Sequence, residues 1–139
     1  MNTILLADDY ICEPEIQMAK RFGKYLLHEC VAQGGITEIW LATDEFENVV
    51  AVRAMRRAVL KKSSAPKLFK AGLKVHQKLS PHPNIIRYIN QGKADGVPYM
   101  VLEYIQGSDL KLLMSRHQDH IDNIADVLIQ MADGLNHLH

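Results

Sequence analysis

Runs of apolar residues, separated by short polar or glycine-containing turns, predict a sheet over most of the chain. Alternating or continuous apolar positions of this length are typical of strands. The third run contains no Pro or Gly, as an internal strand requires. We therefore predict five antiparallel strands, at Lys24–Ala32, Ile36–Thr43, Val49–Met55, Ile85–Gln91 and Val97–Tyr104.

Apolar residues at three- and four-residue spacing predict helices between and after these strands. Pro14 and Pro66 suit the first turn of a helix, and Ser108 suits an N-cap position. The fold class is therefore α+β, with one helix inserted after the third strand. The predicted helices run from Pro14 to about Phe22, from Lys67 to Leu79, from Asp109 to about Arg116, and from about Asp119 to His139.

Charge is sorted along the chain although the formal net charge is zero. Residues 48–94 contain eleven Lys and Arg but no Asp or Glu, and the segments on both sides are acidic. Such a block forms either a face neutralised by the flanking acids or a surface for nucleic acid or an acidic partner. Phe69 lies on the apolar side of the predicted 67–79 helix and not in the row of Lys67, Lys70, Lys74 and Lys78, so a nucleic-acid partner is the weaker alternative.

Composition limits the class of protein further. With 139 residues and 47% hydrophobic content the chain suits one globular domain with a core. No apolar run approaches the roughly 20 residues of a membrane span. Two cysteines do not suggest a disulfide framework, and seven scattered histidines do not suggest a metal site. A cytoplasmic location, without contact to a membrane, is the expectation.

Five segments occur in an order that resembles the serine/threonine protein kinases, from about Phe22 to His139. The resemblance implies an N-terminal extension at 1–22, a kinase-like N-lobe at 23–105, and the hinge exit with two helices of an incomplete C-lobe at 106–139. The segments resemble the glycine loop, the third strand, the turn before the fourth strand, the hinge and the helix before the catalytic loop: Val31–Ala42, Val49–Met55, Leu79–Ile85, Tyr99–Gly107 and Asp133–His139.

The resemblance implies an adenine site built on apolar strand residues and on the hinge backbone. Its side chains would equally serve as the core of the lobe. The residues implied for the ring are its roof, its lining, the gatekeeper and the two hinge backbones: Val31, Ile39, Ala51, Leu102, Glu103 and Ile105.

The implied phosphate site departs from the family at the glycine loop. The three glycine positions of the family align with Ala32, Gly34 and Thr37, and only Gly34 matches, with Gly35 as an added neighbour. A Cβ atom at position 32 and a branched side chain at position 37 hinder close approach of the backbone to phosphate.

A second departure concerns the ion pair between strand and helix. Arg53 stands where the family has a lysine, and the two side chains are not interchangeable at a fitted site. The helix glutamate that would pair with it aligns with Gly72, and residues 48–94 contain no acid that could replace it. The family's catalytic aspartate and magnesium ligands would fall after His139, so no catalytic residue and no metal ligand is assigned.

These observations lead to three functional hypotheses. The first is a pseudokinase-type binding or regulatory module, with an unidentified protein partner and at most weak binding of ATP. The alternative is the N-terminal portion of a kinase that binds ATP and phosphorylates protein. The third is a binder of nucleic acid or acidic partners through the lysine row. The apolar face of the 119–139 helix, which lacks the cover of a complete C-lobe, predicts a homo-oligomer.

Overall fold

The computed structural model describes residues 18–62, 64–116 and 124–139. These residues form six strands and three α-helices, so the predicted α+β class is confirmed. The strands are β1 (Lys20–Phe22), β2 (Tyr25–Gln33), β3 (Thr37–Thr43), β4 (Val49–Met55), β5 (Tyr88–Ala94) and β6 (Val97–Glu103). The helices are α1 (Ala65–Lys78), α2 (Leu110–Arg116) and α3 (Ile124–Leu138).

All strand pairs are antiparallel, in the order β1-β2-β3-β4-β6-β5. The sheet therefore has six strands, and the prediction of five was wrong by one. The additional strand is β1, where Lys20 pairs with Leu27 and Phe22 with Tyr25. The helix predicted from Pro14 to about Phe22 was wrong at its end, where Lys20–Phe22 form this strand. Residues 14–17 of that predicted helix lie outside the described residues.

Strand β4 lies inside the sheet, between β3 and β6, and supplies much of its core. Val52 is fully buried, and Ala54 and Met55 are nearly so. Consecutive buried residues show that both faces of this strand are covered. A run of β-branched and small apolar residues suits such a strand. This strand also carries Arg53, so the cation is fixed on one of the most buried elements of the sheet.

The described residues divide into two compact units. One includes the six strands and most of α1, and the other comprises Lys78–Arg87 together with Ile105–His139. In the second unit, α2 and α3 expose apolar side chains, and Leu128 and Leu135 of α3 are both more than half exposed. The homo-oligomer predicted through the 119–139 helix stays a prediction, and residues 119–123 lie outside the described residues. None of the described helices combines the length and the apolar character needed to cross a membrane.

Candidate functional site

The register of the sheet places several predicted site residues on one face. In β4, Arg53 pairs with Ile39 on one side and with Met100 on the other. Two residues earlier, Ala51 pairs with Leu102 of β6. Directly paired residues, and residues two apart on a strand, point to the same face of a sheet. The structure thus brings the implied lining, gatekeeper and cation together on this face of the first unit.

The contacts of Arg53 differ from the ion pair of the family pattern. Its Nε donates a hydrogen bond to Thr37 Oγ1, 3.3 Å away. Thr37 is the branched residue at the third glycine position, and it is buried. The described residues contain no carboxylate within ion-pair distance of Arg53. The cation on β4 is therefore connected to the glycine loop.

Helix α1 presents a histidine, rather than an acid, near Arg53. Burial of the ring lowers the pKa of His76, and the charge of Arg53 lowers this pKa further. Both effects favour the neutral imidazole, and its buried Nδ1 has no hydrogen-bond partner among the described residues. A neutral ring cannot offset the charge of the guanidinium.

Gly72, the position aligned with the helix glutamate, is sterically open. A Cβ atom built on this residue would meet nothing within 4 Å. The absence of a side chain there is consequently not forced by packing. Helix α1 contains no acidic residue at any position.

The turn between β2 and β3 is held from the end of β4. Gly34 N donates to Thr37 O at 2.8 Å, which closes the turn. The guanidinium of Arg56 donates from Nη1 to Gly34 O at 3.2 Å and to Gly35 O at 3.3 Å. Arg56 is recognisable in the sequence as a nearby cation, but its contact with the turn is not, because nothing local connects it to a turn more than twenty residues earlier.

The remaining predicted site residues are exposed or only partly buried. Val31 lies in β2 and is 43% exposed. Glu103 ends β6 and pairs with Val50. Ile105 is 63% exposed and belongs to the second unit. A groove of about 490 Å³ lies at the opposite end of β3, around Thr43 and Asp44, and includes none of the predicted residues.

In the second unit, the segment Leu79–Ile85 contacts the segment Asp133–His139. His82 Nε2 lies 3.3 Å from Asp133 Oδ2, and Asn84 Nδ2 donates to the same oxygen at 3.1 Å. The rings of His82 and His137 lie 4.6 Å apart, and a Cβ at Gly134 would come within 3.2 Å of Asn84 O. Within the described ranges, no group of three potential ligands is placed to hold a metal ion.

Known proteins with similar sequences are protein kinases. The chain is 29% identical over 133 residues to the tyrosine-protein kinase MasK of Myxococcus xanthus, which covers 89% of this chain and 20% of MasK. It is 24% identical over 119 residues to the serine/threonine-protein kinase PrkC of Bacillus subtilis, covering 84% of this chain and 18% of PrkC. The chain thus spans about a fifth of the length of these two relatives.

Solved structures also have a similar fold. A cysteine-to-alanine mutant of the Mycobacterium tuberculosis PknI kinase domain matches with a TM-score of 0.70 at 19% identity, covering 90% of this chain and 52% of that one. The PpkA-294 apo form matches with a TM-score of 0.61 at 21% identity, covering 78% of this chain and 45% of that one. The family described as protein kinase domain matches residues 25–139. Because this match takes in most of the chain, the chain belongs to the protein kinase family.

Proposed function

We propose that this chain works as a binding and regulatory module with a kinase fold whose phosphotransfer chemistry is weakened. The observation that carries the proposal is the surroundings of Arg53. Its partner is the hydroxyl of Thr37 and its neighbour on α1 is the neutral ring of His76. No acid among the described residues forms the pair that an active kinase lobe uses to hold its cation.

The chemistry of the substitution supports this proposal. The family's lysine is a point charge that reaches the phosphates, whereas a guanidinium is longer, planar and bonded through a fixed fork of donors. Arg53 already uses Nε on the loop residue Thr37. A nucleotide would therefore meet a cation that is oriented by the loop and not by a carboxylate. We expect ATP binding to be weak, and the module to act through contact with a protein partner.

The alternative function is the N-terminal portion of an active kinase. It is supported by the names of the relatives, which are described as tyrosine- or serine/threonine-protein kinases. The apolar face with Ala51 and Leu102, suited to an adenine ring, also supports it. In this case Arg53 would serve as the phosphate-binding cation without a helix glutamate.

Titration calorimetry with ATP, with and without magnesium, distinguishes the two functions. The proteins compared are the wild type, Arg53→Lys, Gly72→Glu and the double variant, with Arg57→Lys as a matched control on a neighbouring arginine. We expect millimolar or undetectable binding in the wild type and in each single variant. The double variant restores both members of the ion pair. It should bind ATP at least about tenfold more tightly than either single variant, which corresponds to about 1.4 kcal/mol.

Micromolar binding of ATP by the wild type, if it is lost in an additional Arg53→Ala variant, would contradict the proposal and favour the active kinase. Equal weak binding by all variants would show that the ion pair is not what limits the site. The proposal also includes a cytoplasmic location and self-association through the 119–139 helix. Light scattering at tens of micromolar tests the latter, and a monodisperse monomer would contradict it.

A further inference from the structure

The segment that follows β4 holds the glycine turn through three successive carbonyl groups. Arg56 N donates to Ile36 O at 2.9 Å. The side chain of the same residue donates from Nη1 to Gly34 O and to Gly35 O, at 3.2 and 3.3 Å. One residue thus contacts the whole tip of the hairpin formed by β2 and β3.

The turn has few other means of staying in place. Gly34 and Gly35 carry no side chains, and a Cβ built at Gly35 would meet nothing within 4 Å. Neither glycine has a positive φ, so the backbone conformation of the turn does not itself require glycine. Glycine loses more backbone freedom on ordering than any other residue. The pairing of Gln33 with Glu38 fixes the base of the turn, so the order of its tip depends on the bond from Gly34 N to Thr37 O and on contacts from outside the turn.

We propose that Arg56 is a positioning residue, which keeps the Gly34–Gly35 turn in one place relative to β4. Arg53 lies on β4 three residues before Arg56, so the turn and the cation of the candidate site are held in register. Hydrogen bonds from a guanidinium are stronger than those between neutral groups, even though exposure to water reduces their contribution here. The part of the inference that concerns nucleotide rests on the proposed function, whereas the part that concerns the turn does not.

The neighbouring arginine provides a matched control. Arg57 has the same charge and the adjacent position, but its guanidinium bonds Asp95 O at 3.3 Å and lies 3.9 Å from Asp95 Oδ2. These contacts join it to the turn between β5 and β6. Removing Arg57 changes net charge as much as removing Arg56 does, and leaves the glycine turn untouched.

Amide hydrogen exchange measured by NMR tests the positioning role directly. The Gly34 amide is the reporter, because its bond to Thr37 O breaks when the turn opens. We expect its exchange to be roughly three- to tenfold faster in Arg56→Gln, as for the loss of one or two exposed hydrogen bonds. It should be unchanged in Arg57→Gln and intermediate in Arg56→Lys, whose ammonium can still donate to one carbonyl. The buried Val52 amide reports on global unfolding, and Gly34 exchange much faster than Val52 exchange in each variant would show that the turn opens locally.

Equal Gly34 exchange in Arg56→Gln and the wild type would overturn the proposal, as would an equal increase in Arg57→Gln. If Arg56→Gln does not fold, the conservative Arg56→Lys variant decides, and wild-type exchange at Gly34 in that variant would overturn the proposal.

Binding of magnesium ATP and of inorganic tripolyphosphate is the second measurement. A turn that is already ordered costs a ligand less to engage, so affinity should fall in Arg56→Gln, by at most the factor seen in Gly34 exchange, and remain unchanged in Arg57→Gln. If the wild type binds neither probe while Gly34 exchange still rises in Arg56→Gln, the positioning role stands and its link to polyphosphate is overturned. Failure of the proposed function would instead appear as tight binding that depends on Arg53.

Discussion

Replacement of Gly72 by alanine should stabilise the first unit. The residue lies in the middle of α1, and a Cβ atom there would meet nothing within 4 Å. Glycine in a helix interior is about 1 kcal/mol less favourable than alanine, because it loses more backbone entropy on folding. With no steric cost to subtract, we predict a gain of about 1 kcal/mol in the free energy of unfolding.

The same substitution at Gly92 should have the opposite effect. A Cβ there would lie 2.5 Å from Tyr99 Oη and 2.8 Å from Tyr99 Cζ. The tyrosine ring cannot move aside easily, because it is 6% exposed and packs edge-on against Phe22 and Tyr25, with centroids 5.2 and 5.7 Å away. Overpacking of this kind costs about 1–3 kcal/mol.

Urea denaturation followed by circular dichroism and by Trp40 fluorescence measures both effects. We expect the urea midpoint to rise for Gly72→Ala and to fall for Gly92→Ala. The slope of the free energy of unfolding against urea concentration should be unchanged in both. A neutral or destabilising Gly72→Ala would refute the reasoning, since it would mean that the space beside Gly72 is not open. In that case Gly72→Glu could not be used to rebuild the ion pair.

Three further predictions concern charge. The pKa of His76 in the folded chain lies below its ordinary value of 6.5, so the contribution of His76 to stability should be complete above pH 6.5 and be lost as the pH falls through the folded pKa. In an NMR titration, Arg53→Gln should raise this pKa only in part, because burial is the larger cause. The hydrogen bond from the Asn48 side chain lowers the pKa of Asp44 below 3.8. The contribution of Asp44 to stability should therefore be present above pH 3.8 and be lost as the pH falls through the folded pKa, and Asn48→Ala should raise this pKa in a carboxyl titration. Binding of the chain to a DNA duplex should be weak and nearly independent of salt, whereas a steep salt dependence reduced by Lys70→Glu would favour a nucleic-acid partner.

Much of the sheet could be predicted from sequence, because buried strands have long apolar runs. Val49–Met55 was predicted to the residue, since both of its faces are covered and every position but one is apolar. Strand β1 was missed because Lys20–Phe22 is short and mostly charged, and only its pairing with β2 defines it. The start of β5 was placed three residues early, because Ile85 and Ile86 are apolar although they precede the strand.

The candidate site could be predicted only where it depends on residue identity at an aligned position. The change at Arg53 and the open position at Gly72 are visible in the sequence. The roles of Thr37 and Arg56 are not, because each depends on a contact across 16 to 22 residues. The position of His76 near Arg53 is not visible in the sequence either, because it depends on where α1 lies against the sheet.

Open space at Gly72 bears on why the candidate site lacks its ion pair. If packing excluded a side chain there, the missing acid would be a by-product of the fold. Because nothing lies within 4 Å, a side chain fits at this position, and the fold alone does not explain the glycine. Arg53 and Arg56 meanwhile both donate to the glycine loop, which gives the two cations a structural use that needs no acid. A stable Gly72→Glu that leaves ATP binding unchanged beside Arg53, but strengthens it beside Arg53→Lys, would therefore show that these contacts hold the arginine away from the role that a lysine would fill.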